Sequence, residues 1–170
     1  DEAKRQGLLE FVGKDVDEAY CKMATSASFS QERGIKILYT PLHGTGMTSL
    51  YPALKKSDFD ITPNPKTANF SGAFENVTYN IPNPEVQECF DSALPFADDI
   101  GADIILTSDP DADRIGIMVK HQNSWVFLNG HEIGTILVKY GISQHKANNL
   151  LKEESTIIKT DVTTSLIQKI

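Results

Sequence analysis

Asp109, Asp111 and Asp113 recur at every second position in SDPDADR, and Arg114 follows the last of them directly. Three carboxylates held within about 4 Å of each other would repel by roughly 4 kcal/mol per pair at an effective dielectric near 20. Such a group calls for a cation. A hard divalent ion with oxygen ligands, Mg²⁺ first, suits it, because that ion takes a few carboxylates and leaves positions for phosphate or water. Arg114 has two readings: a contact to a phosphate, or a bidentate structural pair with one of the aspartates. The turn itself has alternatives. An EF-hand would need glycine and glutamate where Arg114 and Lys120 stand, and helices on either side. A free-standing Mg²⁺-dependent phosphatase with Asp109 as nucleophile, or a module that binds a phosphorylated ligand, would use a D-x-D in the same way. A solvated acidic turn joining two strands is the plainest reading.

Two strands must position this turn. Ile104, Ile105 and Leu106 form a continuous apolar run, as in a strand covered on both faces, and Ile115, Ile117 and Val119 alternate after the turn. Ser124 to Leu128 completes a hairpin around His121-Gln-Asn123, with Trp125 expected in the core. Earlier, Ile35 to Leu42 reads as a strand ending in Pro41-Leu-His-Gly-Thr-Gly46 before a helix with Leu50, Ala53 and Leu54. A glycine-containing turn there can present N–H groups to an anion, though neither G-x-G-x-x-G nor a P-loop is complete. His43 either faces a ligand or is hydrogen-bonded within its own loop.

The remaining elements follow from caps and breakers. Gly7 to Val12 reads as extended. A helix then starts at a capping box, Asp15-x-x-Glu18, with Val16, Ala19, Tyr20, Met23 and Ala24 on one side. Thr25 to Gly34 reads as a linker. A short strand near Phe59 to Ile61 opens a long, mobile excursion to Asn83. Asn83-Pro84-Glu85 caps a helix that Pro95 kinks or divides and Gly101 ends. Asn129-x-x-Glu132 caps another, with Ile133, Ile136, Leu137 and Tyr140 as its stripe and Gly141 past its end. Ser143 to Glu154 is a polar linker, Thr156 to Lys159 a new strand, and Ser165 to Ile170 the start of a further helix.

Composition narrows the classes. The 170 residues suit one domain and a piece of another, 40% hydrophobic and 23% charged. With 16 basic and 23 acidic residues the net charge is −7, and no basic run or aromatic-basic stripe offers a path for nucleic acid. Cys21 and Cys89 lie far apart in no metal-like spacing, which predicts free thiols. No apolar run approaches a membrane span and no signal-like start is present, so the cytoplasm is the default expectation. The chain opens on Asp1 and closes on Ile170 within an apolar run, which predicts a fragment of something longer.

Four motifs occur together in order: TPLHGTG at Thr40 to Gly46, IPNPE at Ile81 to Glu85, GADIILTSDPDADRIGI at Gly101 to Ile117, and LNGHEIG at Leu128 to Gly134. Together they resemble the second domain of the α-D-phosphohexomutases, the phosphoglucomutases and phosphomannomutases, and most of all the branch that includes phosphopentomutases. The resemblance implies an α/β fold, a mixed, mostly parallel sheet with helices on both faces. It would be one domain of a four-domain enzyme, followed by the start of another α/β domain. The implied boundaries are residues 1–32 for the passage from a preceding domain, 33–152 for the metal-binding domain and 153–170 for the next. The implied activity moves a phosphoryl group between two sugar hydroxyls through an enzyme phosphoserine and a bisphosphorylated intermediate. Mg²⁺ would be held by Asp109, Asp111 and Asp113 with a phosphoserine oxygen, and Arg114 would contact that phosphate. The implied partners are a phosphorylated sugar and other domains of the same polypeptide. The family's T-A-S-H-N-P serine loop and G-E-E-S/T-G sugar loop are absent from these residues. Mutase activity is therefore not expected of this chain alone; which sugar is handled and the oligomeric state are not legible in it.

Overall fold

A computed structural model describes residues 2–170; Asp1 lies outside the described residues. Its centre is a five-stranded sheet in the order β2-β1-β3-β4-β5, with β1 at Lys36–Thr40, β2 at Asp60–Pro63, β3 at Ile104–Ser108, β4 at Ile115–His121 and β5 at Ser124–Leu128. Pairing is parallel for β1 with β2 and with β3, and antiparallel from β3 through β4 to β5. The sheet is thus mixed as expected, though its pairings divide evenly, two parallel and two antiparallel, rather than mostly parallel, with the parallel part confined to β2, β1 and β3. Short connections supply the antiparallel part, the acidic turn between β3 and β4 and the tight hairpin between β4 and β5, since neither is long enough to join parallel neighbours. The hairpin's turn residues Gln122 and Asn123 both have positive φ, 45° and 61°, the backbone that matches strand twist in a tight hairpin.

Alternating residues of β1 separate two cores. Leu38 joins Ile105 and Met118 under Phe90, Ala93 and Ala97, while Ile37 and Tyr39 join Ile61 under Leu50, Tyr51 and Leu54. Helix α3, Leu50–Lys56, therefore covers one face, and α4, Leu94–Ile100, covers the other. Pro95 sits in the first turn of α4, where its missing N–H is no loss, and Gly101 ends the helix at φ 65°. Trp125 is half-buried against the second of these covers, with its Nε1 donating to Asp98 at 3.0 Å.

Several sequence expectations are corrected. Helix α2 runs from Lys14 to Thr25 after a short α1 at Glu2–Arg5, and its N-cap is Gly13 with no side-chain cap. Asp15 lies already inside the helix, with its carboxylate folded back beside Gly13 but making no cap hydrogen bond. Val16, Tyr20 and Met23 are exposed; the residue α2 buries is Cys21. Asn83 does not cap an α-helix: its Oδ1 accepts from the Glu85 amide at 3.1 Å in a local turn, a 3₁₀ turn follows at Gln87–Phe90, and α4 starts only at Leu94. Helix α5, Gly130–Ala147, runs on through Gly141, so that glycine is tolerated rather than terminating, and the polar linker starts later than expected. The capping box at its start is present, with Asn129 accepting from the His131 and Glu132 amides. Thr156 to Lys159 is not a strand, because among the described residues no neighbour pairs with it, and Ser165–Lys169 forms a 3₁₀ turn. Both cysteines are free and buried. The excursion after β2 has no strand or α-helix before α4, yet it is anchored by Asn64 and Thr67, which are fully buried.

Candidate metal centre

Parallel strands β1 and β3 end side by side, and their carboxyl-terminal turns meet. Thr40 pairs with Thr107 in register, so Pro41 to Gly46 emerges next to Asp109 to Arg114. The crevice beyond such strand ends is where α/β sheets place ligands.

The acidic turn closes through Asp109. Its carbonyl accepts the Ala112 amide at 3.0 Å, and Ala112 takes a positive φ of 59° to turn the chain. Asp109 is 2% exposed, while Asp111 and Asp113 are exposed. One carboxylate oxygen from each of the three lies within 4.8 Å of the others, a span comparable to the ~4 to 5 Å across the oxygen shell of a hard divalent ion. All donors are hard oxygens, and no other group of three or more potential ligands converges among the described residues. The donor set therefore fits a divalent metal.

Arg114 backs this group. Its amide donates to Asp109 Oδ1 at 3.0 Å and its Nε to Oδ2 at 2.7 Å, with Asp113 at 3.8 Å. Burial pushes the Asp109 pKa up, but the Arg114 amide, guanidinium and charge outweigh it and hold the carboxyl below its ordinary value. Asp113 moves the other way: its hydrogen bond to Asp109 and then the charge of Asp111 raise it. The opposite shifts follow from the crowding of like charges: Arg114 satisfies Asp109, and Asp113 is left beside two carboxyls. The pairing reading of Arg114 is thus observed. Its side chain is still 47% exposed, and among the described residues no acceptor holds its Nη2.

Arg114 Nη1 donates to Asn83 Oδ1 at 3.0 Å, a contact the sequence did not suggest. Asn83 reaches the site because Gly116 lets the loop lie on β4: a Cβ there would stand 2.5 Å from the Pro84 carbonyl oxygen. The motif Asn-Pro-Glu reads locally as a cap, and only the packing at Gly116 turns it toward Arg114. Sequence reasoning also missed the hydroxyl pair behind Asp109, in which Tyr39 Oη and Ser108 Oγ lie 2.6 Å apart and buried. Burial, foremost, pushes the Tyr39 pKa up to about 12.

His43 is buried at φ 64°, and neither ring nitrogen faces the carboxylates. Nδ1 bonds the Asn69 carbonyl at 2.7 Å and Nε2 the Glu75 carbonyl. Its partners belong to the excursion after β2, not to its own loop. The acidic turn also departs from an EF-hand, since strands flank it.

With this geometry in view, likeness to known proteins is informative. The family model described as phosphoglucomutase/phosphomannomutase, alpha/beta/alpha domain II, matches residues 18–123, which include both turns. The chain belongs to the phosphoglucomutase/phosphomannomutase family. A phosphomannomutase of Mycoplasmoides pirum is 30% identical over 173 aligned residues, covering 99% of this chain and 31% of that protein. A phosphoglucomutase of Staphylococcus saprophyticus is 30% identical over 170, covering 96% and 29%. The chain thus spans about a third of the length of these relatives. A phosphoglucomutase/phosphomannomutase family protein from Burkholderia thailandensis has the same fold over 76% of this chain and 26% of its own, with a TM-score of 0.64 at 15% identity. A further structure, from Thermus thermophilus, gives a TM-score of 0.60 at 20% identity over 76% of this chain and 29% of its own. Among the described residues no helix is long and apolar enough to cross a membrane.

Proposed function

We propose that this chain is the metal-holding domain of a phosphosugar mutase, and that Asp109, Asp111 and Asp113 hold Mg²⁺ for phosphoryl transfer between hydroxyls of a sugar. The observation that carries the reading is the convergence of three carboxylates, one of them buried and doubly bonded to Arg114, at the ends of adjacent parallel strands. When bound, the ion neutralises charge on a transferring phosphoryl group. The residues do the rest. Asp109 is fixed by Arg114, Asp111 and Asp113 stand in solvent to meet the ion, and the exposed edge of Arg114 is available to a phosphate oxygen. In this reading the phosphate arrives from a phosphoserine outside these residues, through a bisphosphorylated sugar intermediate, and the chain alone has no mutase activity.

The phosphatase alternative fits less well. A nucleophilic carboxylate needs an open oxygen for in-line attack, and Asp109 is 2% exposed with both oxygens accepting from Arg114.

Calorimetric titration with Mg²⁺ tests the reading. The expected result is binding weaker than micromolar, because a phosphate ligand is lacking, and loss of that binding in Asp109→Asn. The chain should neither release phosphate from an aryl phosphate nor convert glucose-1-phosphate to glucose-6-phosphate. Equal Mg²⁺ binding by the parent and Asp109→Asn, or phosphate release that Asp109→Asn abolishes, would overturn it.

A further inference from the structure

Leu42 and His43 are consecutive L residues in the left-handed region, at φ 47° and 64°, a conformation neither prefers. Surrounding contacts impose it. The Leu42 side chain is fully buried in the core beneath α4. His43 donates its amide to the Thr67 carbonyl at 2.9 Å, and its ring is gripped by the Asn69 and Glu75 carbonyls.

The product of this strained bend is the placement of the next two residues. Gly44 has an ordinary φ of −98°, so its requirement is one of space: a Cβ would stand 2.2 Å from Pro110 Cα and 2.5 Å from Pro110 O. Thr45 follows, and both its amide, at 2.8 Å, and its hydroxyl, at 3.1 Å, donate to that same carbonyl. Pro110 is the link between Asp109 and Asp111. Its carbonyl lies on the peptide that carries Asp111, so its position sets where that carboxylate stands relative to the buried one.

We infer that the Pro41–Gly46 turn is a positioning device for the acidic turn: Gly44 and Thr45 set the place of Pro110, and His43 holds the bend that delivers them. These are positioning residues, acting on the carboxylates through Pro110. The inference deepens the reading of the acidic turn as a metal site and rests on it for its purpose, but its mechanical part can be measured without metal. The strain explains why the bend needs so many holders, since a left-handed pair of L residues persists only where its surroundings over-determine it.

Amide hydrogen exchange in metal-free buffer, followed by Mn²⁺ binding from water proton relaxation, tests it. The Ala112 and Arg114 amides report the turn, because both bond Asp109, and amides of the β4–β5 hairpin serve as the reference. In Gly44→Ala, exchange at the two reporters should rise by about tenfold or more while the hairpin changes less than about twofold. Mn²⁺ affinity should fall by about tenfold or more, the range seen when groups that orient ligands are lost. His43→Asn keeps a residue that tolerates the left-handed bend while deleting the ring contacts, and should shift both readouts in the same direction by about threefold. A folded Gly44→Ala chain with both reporter amides within about twofold of the parent would overturn the inference. Should Gly44→Ala not fold, Thr45→Val decides on the same criterion, with Thr45→Ser expected to restore the parent values. Absence of Mn²⁺ binding by the parent, with the exchange response intact, would sink the metal reading and leave the positioning role standing.

Discussion

The turns that follow β1 and β3 begin at neighbouring points of the same sheet and are built in opposite ways. Pro41 to Gly46 is buried except for Thr45, carries no carboxylate, and holds two L residues in an unfavourable backbone. Asp109 to Arg114 concentrates charge, with only Asp109 buried and the rest reaching solvent. The first resembles a core that happens to be a turn; the second is a set of reactive groups attached to it at Pro110. The contrast teaches that precision in the exposed turn is borrowed from the buried one, since like charges left to themselves would spread apart.

Substitutions across the two turns should then separate stability from ligand binding, in decreasing order of effect on stability. Leu42→Ala removes a fully buried side chain from the core beneath α4 and should cost about 3 kcal/mol in chemical denaturation. A cost below about 1 kcal/mol would mean that the buried turn is not the rigid partner described here. Second is the alkaline limb of the stability curve. The Tyr39 pKa rises in the fold from 10.0 to about 12, so its contribution is fully present below pH 10 and is lost as pH climbs through the folded value. That loss should amount to about 2 to 3 kcal/mol, measured as the difference between the parent and Tyr39→Phe in denaturation curves across that window. Equal slopes for the two chains would place the hydroxyl outside the core.

Third, Arg114→Met should destabilise by about 1 to 2 kcal/mol, because it leaves the buried Asp109 carboxylate without its main partner. The figure sits below the usual cost of breaking a buried pair because Arg114 is half exposed and water screens it. Smallest of all, Asp111→Asn should leave stability within about 0.5 kcal/mol of the parent while weakening Mg²⁺ binding. Were Asp111→Asn as costly as Leu42→Ala, the division between a holding turn and a binding turn would collapse.

Much of this was legible in the sequence because it depends on local pattern. The unbroken run Ile104-Ile105-Leu106 required a covered strand, the alternation of Ile115, Ile117 and Val119 predicted a second strand after the turn, and Asn129-x-x-Glu132 specified a helix start, all of which the fold contains, although the residues β4 buries are Gly116 and Met118. Errors arose where local chemistry admits two answers. Asp15 with Glu18 has the form of a capping box, yet Gly13 stands at the cap because the helix begins two residues earlier than that box requires. Gly141 has the form of a terminator, yet α5 continues past it. Apolar periodicity in α2 predicted a buried stripe through Val16, Tyr20 and Met23, whereas the fold buries Cys21, since periodicity reports that a face exists and not what lies against it.

By itself the sequence determined that three carboxylates and an arginine stand on one short turn between two strands, because the every-second-residue spacing and the flanking apolar runs are properties of adjacent residues. Tertiary structure alone decided that Asp109 is the buried member, that Arg114 is clamped between it and Asn83, and that Gly44 and Thr45 bear on Pro110. The physical reason is distance along the chain: Thr45 and Pro110 are separated by 65 residues, and nothing in either segment specifies the other until parallel pairing of β1 with β3 brings their ends together.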